Sequence, residues 1–502
     1  MRPIETLLVC ANFLTFLVLA VPRLRAARWA GVVVLATVFI AVVQVLAEGM
    51  RWQMIPAYVL AELFLGVGLL RSFVSVSGGV KRILTSRAFT AFAIMLCVVG
   101  MGLATSLPIV LPVFHFPGPS GQYAIGTVTY HWTDDSRREV FSTDKNRRRE
   151  LMAQVWYPAR KGSASSHASY IPDADAVATA LVRLHNWPDF SFQHLKYVTT
   201  NATVSVPMAD DKPSYPVLIF LEGLTGFRQM NTFQVEELVS HGYIIVGLDQ
   251  PGAAVTVIFP DGQQIAIPSI PQVMNPLVDQ SLSPHEKAPQ FNGQTFKDGI
   301  LPYFAQDVSF TLDQLATLNM ADPKHILSGK LDLQHIGVFG MSLGGMVSAQ
   351  ACLQDPRIKA CLLIDVAMTN DVVQKGLRQP AMWITRPADS MRLERQRAGG
   401  WAEKDVEQTQ NTMRSVYNNL PGDGYFVQIP GAFHIDFTDL TYLSPLFPIT
   451  GFSGPIGGQR THDIVNAYSV AFFDRYLKSE PAALLNGPTA RYPEVIFEKH
   501  RS

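Results

Sequence analysis

The stretch His335–Ala349, HIGVFGMSLGGMVSA, passes from one kind of sequence to another within a few residues. Ile336–Phe339 is a run of small and β-branched residues and reads as a buried strand. From Leu343 onward, LGGMVSAQACL reads as a helix. Between them stands Gly340-Met341-Ser342-Leu343-Gly344, a G-x-S-x-G pattern. Alone, that pattern can mark only a glycine turn. Framed by strand and helix, it has the layout of a nucleophile elbow, with a serine on a strained backbone at the top of a sheet. The flanking glycines remove side chains that would collide with neighbouring strands. The helix behind the serine points amides at developing negative charge. Ser342 is the candidate nucleophile.

Outward from this stretch, strands and helices alternate, which predicts an α/β domain with a mostly parallel central sheet. The expected strands are Tyr123–His131, Leu151–Tyr157, Val217–Leu221, Tyr243–Leu248, Ile336–Phe339, Ala360–Ile364, Ala381–Ile384 and Tyr425–Ile429. TFQVEELVSHG, AQDVSFTLDQLATLN and HDIVNAYSVAFFDRYLK read as helices. AVTVIFPDGQQIAIP reads as a hairpin turning at Pro260-Asp261-Gly262. It opens an insertion over residues 251–301, on the side where active-site loops gather. Gly162–Ser169 reads as a flexible surface loop.

A serine hydroxyl needs a base to take its proton. After an elbow the order along the chain is serine, acid, histidine. Only His434, His462 and His500 follow Ser342. His500 is two residues from the end, and His462 opens the last helix, where a capping or surface role suffices. His434 lies in GAFHIDFTD, in a loop directly after a strand, and is the candidate base. For the acid, Asp365 ends the apolar run ACLLID and Asp389 follows the next strand. Asp436 and Asp439 lie too near His434 to orient it. An acid at the abrupt end of a buried strand favours Asp365, but spacing alone leaves Asp389 open. An oxyanion needs two backbone N–H donors. One is expected from Leu343. The other is expected from Leu224, in the turn Gly223-Leu224-Thr225-Gly226 after the strand VLIFL.

The first 114 residues hold nine of the 41 Lys/Arg and three of the 41 Asp/Glu. The remainder is therefore mildly acidic, with no basic face suited to nucleic acid. Four apolar runs, Leu7–Val21, Trp29–Leu46, Ile55–Leu70 and Ala88–Leu107, are each near the length that spans a bilayer as a helix. Together they predict a transmembrane region over residues 1–114. HFPGPSGQ (115–122) follows as a linker, and the α/β domain occupies 123–502. RLRAAR, and the loop with Arg71, Lys81, Arg82 and Arg87, carry most of the charge and belong on the cytoplasmic side. The large domain is then extracytoplasmic. Glu62, inside the third run, is expected to bond between helices rather than to act. The four cysteines lack metal-ligand spacing. Buried free thiols are expected at Cys10, Cys97, Cys352 and Cys361, which leaves the compartment open. No metal or cofactor and no obligate protein partner is expected.

YPVLIFLEGLTGFR, ELVSHGYIIVGLDQ, IGVFGMSLGG, CLLID and GAFHIDFTD together resemble the plasma-type (isoform II) platelet-activating factor acetylhydrolases, over roughly Tyr123 to Leu477. The resemblance implies an α/β-hydrolase fold and a calcium-independent serine esterase for short or oxidised acyl esters of phospholipids. It places the nucleophile on Ser342, the acid on Asp365, the base on His434 and the oxyanion amides on Leu224 and Leu343. The interval from Ser342 to Asp365 agrees with the family pattern and settles the acid. Met341 and Glu222 stand where the family often has histidine, at positions expected to line the site entrance. The N-terminal spans depart from the animal enzymes and look like a bacterial membrane-anchored version. An acyltransferase using the same triad, or a membrane sensor with a ligand-binding domain, are the alternatives.

Overall fold

The computed structural model describes residues 1–73, 86–160, 162 and 166–500, with side chains 71–73 left aside. Lys81 and Arg82 of the third loop, and Ser163–Ser165 of the expected flexible loop, lie outside the described residues. The chain divides into two compact units. One comprises Met1–Phe114, Pro188–Tyr197 and Leu443–Leu446, and the other comprises the rest.

Four helices of the first unit, Pro3–Ala20, Ala30–Glu48, Ile55–Phe73 and Arg87–Val110, are long and apolar enough to cross a membrane. The first begins at Pro3, earlier than its apolar run, because Glu5 is neutralised by Arg51 at 2.7 Å and by Arg2 at 2.7 Å. Leu8, Val9, Ala57, Leu60, Phe64, Met101 and Ala104 pack at the centre. Polar side chains join the helices: Thr15 to Thr37 at 2.7 Å, Asn12 to the Ala57 carbonyl at 3.1 Å, and Tyr58 to Gln44 at 2.5 Å. Among the described residues Glu62 takes no part in this, contrary to expectation. The inward stripe of its helix is Ala57, Leu60, Ala61 and Phe64, and a helical period turns Glu62 to the exposed face.

The second unit is built on a ten-stranded sheet. Its strands in chain order are β1 (Ala124–Arg138), β2 (Arg148–Ala159), β3 (Ala202–Val204), β4 (Tyr215–Leu221), β5 (Ile244–Asp249), β10 (Leu331–Met341), β11 (Ile358–Ile364), β12 (Ala381–Thr385), β13 (Gly424–Gln428) and β14 (Ile496–His500). Strands β6 (Thr256–Ile258) and β7 (Gln264–Ala266) form the expected hairpin, and β8 (Gln290–Phe291) pairs with β9 (Gln294–Thr295). The sheet order is β14-β13-β12-β11-β10-β4-β5-β2-β1-β3. The run from β13 to β5 is parallel, while β2 and β14 join it antiparallel. All eight expected strands form. The two unexpected members of the sheet, β3 and β14, are at its edges.

Both faces of the central strands are covered. Val217, Ile219 and Leu221 of β4 face Val308, Leu312 and Val347 of the helices Leu301–Met320 and Leu343–Gln354. Leu218 and Phe220 face Val235, Leu238, Ile464 and Phe472 of the helices Thr232–Ser240 and Gly458–Leu477. Every residue of β4 is buried. This is why the sequence shows unbroken apolar runs rather than alternation.

Five side chains behave differently from expectation. Cys352 and Cys361 are not free thiols: they form a disulfide with Cα atoms 6.7 Å apart. Cys352 lies near the end of the helix Leu343–Gln354 and Cys361 lies in β11, and residues 355–357 reverse the chain between these elements, so the two sulfurs meet. Cys10 is exposed rather than buried, and Cys97 is partly exposed. His462 is not a surface or capping residue. It stacks on Phe233 with centroids 3.7 Å apart and bonds the Thr438 carbonyl at 3.0 Å. Burial lowers its pKa to about 3, which keeps it neutral.

Candidate active site

Ser342 follows β10 directly, with φ 56° and ψ −123°. Such a backbone costs about 1–3 kcal/mol and persists only where its surroundings dictate it. Here they do. The Ser342 N–H donates to the Ile364 carbonyl at 3.0 Å, tying the turn to the end of β11. A Cβ on Gly340 would stand 2.4 Å from the Gly344 carbonyl oxygen. One on Gly344 would stand 2.0 Å from that of Leu221. The glycines of the pattern are thus required by close approach.

Asp365 follows β11 directly and is fully buried. Its Oδ2 lies 2.6 Å from Nδ1 of His434. The same oxygen accepts from Nε of Arg386 at 2.9 Å, and Oδ1 accepts from Thr385 at 3.1 Å. Burial alone would raise the Asp365 pKa. The Arg386 guanidinium and His434 reverse this and hold it at about 2, so the carboxylate is charged at any ordinary pH. His434 opens a short 3-10 turn after β13, and its side chain remains 22% exposed. Its ring Nδ1 is bonded to Asp365 and its backbone N–H donates to Glu394, and no hydrogen bond joins it to Ser342. Contacts between a nucleophile and its base are commonly long in unliganded sites.

The other acids near His434 in sequence do local work. Asp436 accepts the Phe433 and Gly454 amides, each at 2.8 Å, and so shapes the loop. Asp439 accepts the Thr232 and Phe233 amides at the start of the Thr232–Ser240 helix. Asp389 is exposed and pairs with Arg392 at 3.1 Å, away from the histidine. His500 lies on edge strand β14 and bonds the Leu420 carbonyl at 2.9 Å.

The turn Gly223–Gly226 comes close to the serine, since a Cβ on Gly223 would stand 3.3 Å from Ser342 Cβ. Thr225 donates to the Ala253 carbonyl at 2.8 Å, Gly226 to that of Gly223 at 2.9 Å, and Val255 to that of Gly226 at 2.9 Å. The amides of Leu224 and Leu343 have no acceptor among the described residues. Val255 also borders a recess of about 860 Å³, between the helix Ala174–His185 and the β6–β7 hairpin, with Ala180, Ile267 and Arg183 in its walls.

Met341 and Glu222 do not line an entrance. Both are buried, Met341 as the last residue of β10 and Glu222 as the residue directly after β4. Glu222 lies under the Gly223–Gly226 turn and accepts the Gln250 amide at 3.4 Å. Burial, with Asp249 nearby, pushes its pKa well above the ordinary carboxylate range.

Four further residues surround the histidine–carboxylate pair. Arg386 and Thr385 come from the end of β12, Glu394 comes from the helix Ala388–Ala398 and pairs with Arg386, and Trp401 packs on His434. Arg386 could have been found by the argument used for Asp365, a charge at the abrupt end of a buried strand. Among the described residues, no three His, Cys, Asp or Glu side chains converge to hold a metal.

The sequence profile of the family described as platelet-activating factor acetylhydrolase, isoform II, matches residues 110–482. The platelet-activating factor acetylhydrolase of Cavia porcellus is 21% identical over 288 residues, 55% of this chain. The chain thus spans less than two thirds, 62%, of that relative's length. A probable 1-alkyl-2-acetylglycerophosphocholine esterase of Arthroderma benhamiae is 22% identical over 424 residues, 80% of this chain and 98% of its own. Among solved structures, the ferulic acid esterase from Streptomyces cinnamoneus superposes with a TM-score of 0.59 at 23% identity, over 77% of this chain and 99% of that one. This last likeness concerns the fold alone.

Proposed function

Because the chain belongs to the isoform II platelet-activating factor acetylhydrolase family, we propose that it is a serine hydrolase of carboxylic esters, held at a membrane by helices in residues 1–114, with the linker 115–122 leading to a catalytic domain over 123–502. The contact that carries this is His434 Nδ1 to Asp365 Oδ2 at 2.6 Å, beside a serine on a strained turn. In the proposed reaction Nε2 of His434 takes the Ser342 proton and Oγ attacks the ester carbonyl. The Leu224 and Leu343 amides hold the oxyanion, and Asp365 supports the imidazolium. His434 then protonates the departing alcohol, and water clears the acyl-enzyme.

The proposed substrates are phospholipids or similar lipids carrying short or oxidised acyl groups. The relatives' names support this class, and the 860 Å³ recess beside Val255 offers room for a chain, with Arg183 available to a phosphate. We place the catalytic domain outside the cytoplasm. The arginines of RLRAAR favour that orientation, and so does the Cys352–Cys361 disulfide, a bond typical of oxidising compartments.

The test is hydrolysis of p-nitrophenyl acetate and labelling by a fluorophosphonate, on the full chain in detergent. Ser342→Ala is expected to abolish both, and a variant that hydrolyses at the wild-type rate overturns the proposal. A panel of phosphatidylcholines with sn-2 chains of increasing length then tests the substrate class.

A further inference from the structure

Between the helices Ala388–Ala398 and Glu403–Asn418 the chain turns through Gly399, Gly400 and Trp401. All three have positive φ, of 83°, 86° and 20°. A Cβ on either glycine would meet nothing within 4 Å. The glycines therefore serve the path of the chain, not close packing. That path ends on a tryptophan in a conformation side chains rarely adopt, and strain of this kind needs a compensating contact.

The indole has two such contacts. The Arg386 guanidinium carbon lies 5.2 Å from its ring centroid. The His434 ring lies 5.1 Å away, at 72° to its plane. These two groups meet on one atom, Asp365 Oδ2, at 2.9 and 2.6 Å. Trp401 thus stands at the junction of the base, the acid and the buried arginine. Arg386 is fully buried, and its Nη2 has no hydrogen-bond acceptor among the described residues. It is not a spare anion site: one guanidinium already faces two carboxylates, Asp365 and Glu394. The aromatic ring over it offsets the missing bond in part.

We propose that Trp401 is a positioning residue that roofs this junction and keeps water from the Nδ1–Oδ2 hydrogen bond while His434 carries the serine proton. The proposal rests on the assignment of Ser342, Asp365 and His434 made above. Excluding water strengthens the bond and fixes the imidazole in one orientation. It adds nothing to substrate binding, so the rate of the chemical step should depend on it and KM should not.

The experiment uses the full chain in detergent, with Trp401→Ala, Trp401→Phe and Ser342→Ala compared by p-nitrophenyl acetate kinetics. Deuterium exchange at the His434 imidazole carbon between the two nitrogens, followed by mass spectrometry, reads water access to the ring. Trp401→Ala is expected to lower kcat about tenfold with KM within twofold, and to speed that exchange several-fold. Trp401→Phe, which keeps an aromatic roof, is expected to retain half the activity or more and to remain informative if the alanine variant misfolds. Unchanged kcat and exchange in Trp401→Ala, or a raised KM at unchanged kcat, overturns the proposal. So does a Trp401→Phe protein that is folded but has lost tenfold. A fully active Ser342→Ala protein would instead overturn the site assignment, and the two failures are distinct.

Discussion

Arg386 and His434 share a single oxygen: Oδ2 of Asp365 receives Nε of the arginine at 2.9 Å and faces Nδ1 of the histidine at 2.6 Å. The proposed triad therefore contains a permanent buried cation beside its acid. That cation must help both to keep the carboxylate charged and to hold it in place.

Replacing Arg386 with Met leaves two buried carboxylates without their partner. The expected loss of stability is about 3–5 kcal/mol, read as a lower thermal midpoint. The pH dependence has a definite sign. A depressed folded pKa means that Asp365's contribution is present above the ordinary carboxylate range and fades as pH falls through about 2. Without Arg386 that loss moves to higher pH. Melting curves of both proteins between pH 2 and 7 check this, and superimposable curves refute it.

Ser342→Ala and His434→Ala are each expected to cut kcat by about four orders of magnitude, and the double variant to be no worse than either single one. Additive losses in ester hydrolysis would mean that the two side chains do not act as a unit. Asp365→Asn is expected to cost about 10⁴ in kcat, through the wrong imidazole tautomer.

Glu222 predicts an alkaline effect. Its raised folded pKa means that stability is full below the ordinary glutamate range and is lost as pH rises toward the folded value. Glu222→Gln should flatten that decline between pH 4 and 9 and leave the thermal midpoint at the acid end unchanged. The same slope in both proteins would show that Glu222 is not its source.

The Cys352–Cys361 bond closes a short loop, with nine residues of sequence separation. Its removal by Cys352→Ser is expected to cost about 2–3 kcal/mol. Both cysteines are buried, so alkylation after unfolding, with and without reductant, is the direct check. Two reactive thiols from these positions without reductant would disprove the bond.

The orientation is tested in sealed vesicles with a maleimide that does not cross bilayers. Asp189→Cys in a Cys10→Ser, Cys97→Ser background should label from the extracytoplasmic side. Arg25→Cys should label only after the membrane is opened. The reverse pattern sinks the orientation.

Much of the fold could be read from the sequence because its signals were local. Ile336–Phe339 and Val217–Leu221 are apolar without interruption because both faces of those strands are covered. The elbow could be read because Gly340 and Gly344 are required by backbone atoms close by. The rest depends on distant partners. β3 is three residues long, and β14 carries Glu498, Lys499 and His500, so neither has the profile of a central strand. His462 looked like a surface residue until Phe233 was placed against it, more than two hundred positions away. Trp401 packs on His434 and Arg386, and the last two reach one oxygen of Asp365, from separate segments of the chain whose spacing does not encode that. A disulfide between Cys352 and Cys361 depends on the distance between two backbones, which their sequence interval does not give.

The hydrogen bond from the Ser342 amide to the Ile364 carbonyl joins the proposed nucleophile to the residue just before its proposed acid. The separation of these two groups is therefore set by the rungs of a ladder, as in any interior strand pair. The 251–301 insertion follows β5, which lies on the far side of β4 from this strand pair. Lengthening the 251–301 insertion therefore leaves the spacing between Ser342 and Asp365 unchanged.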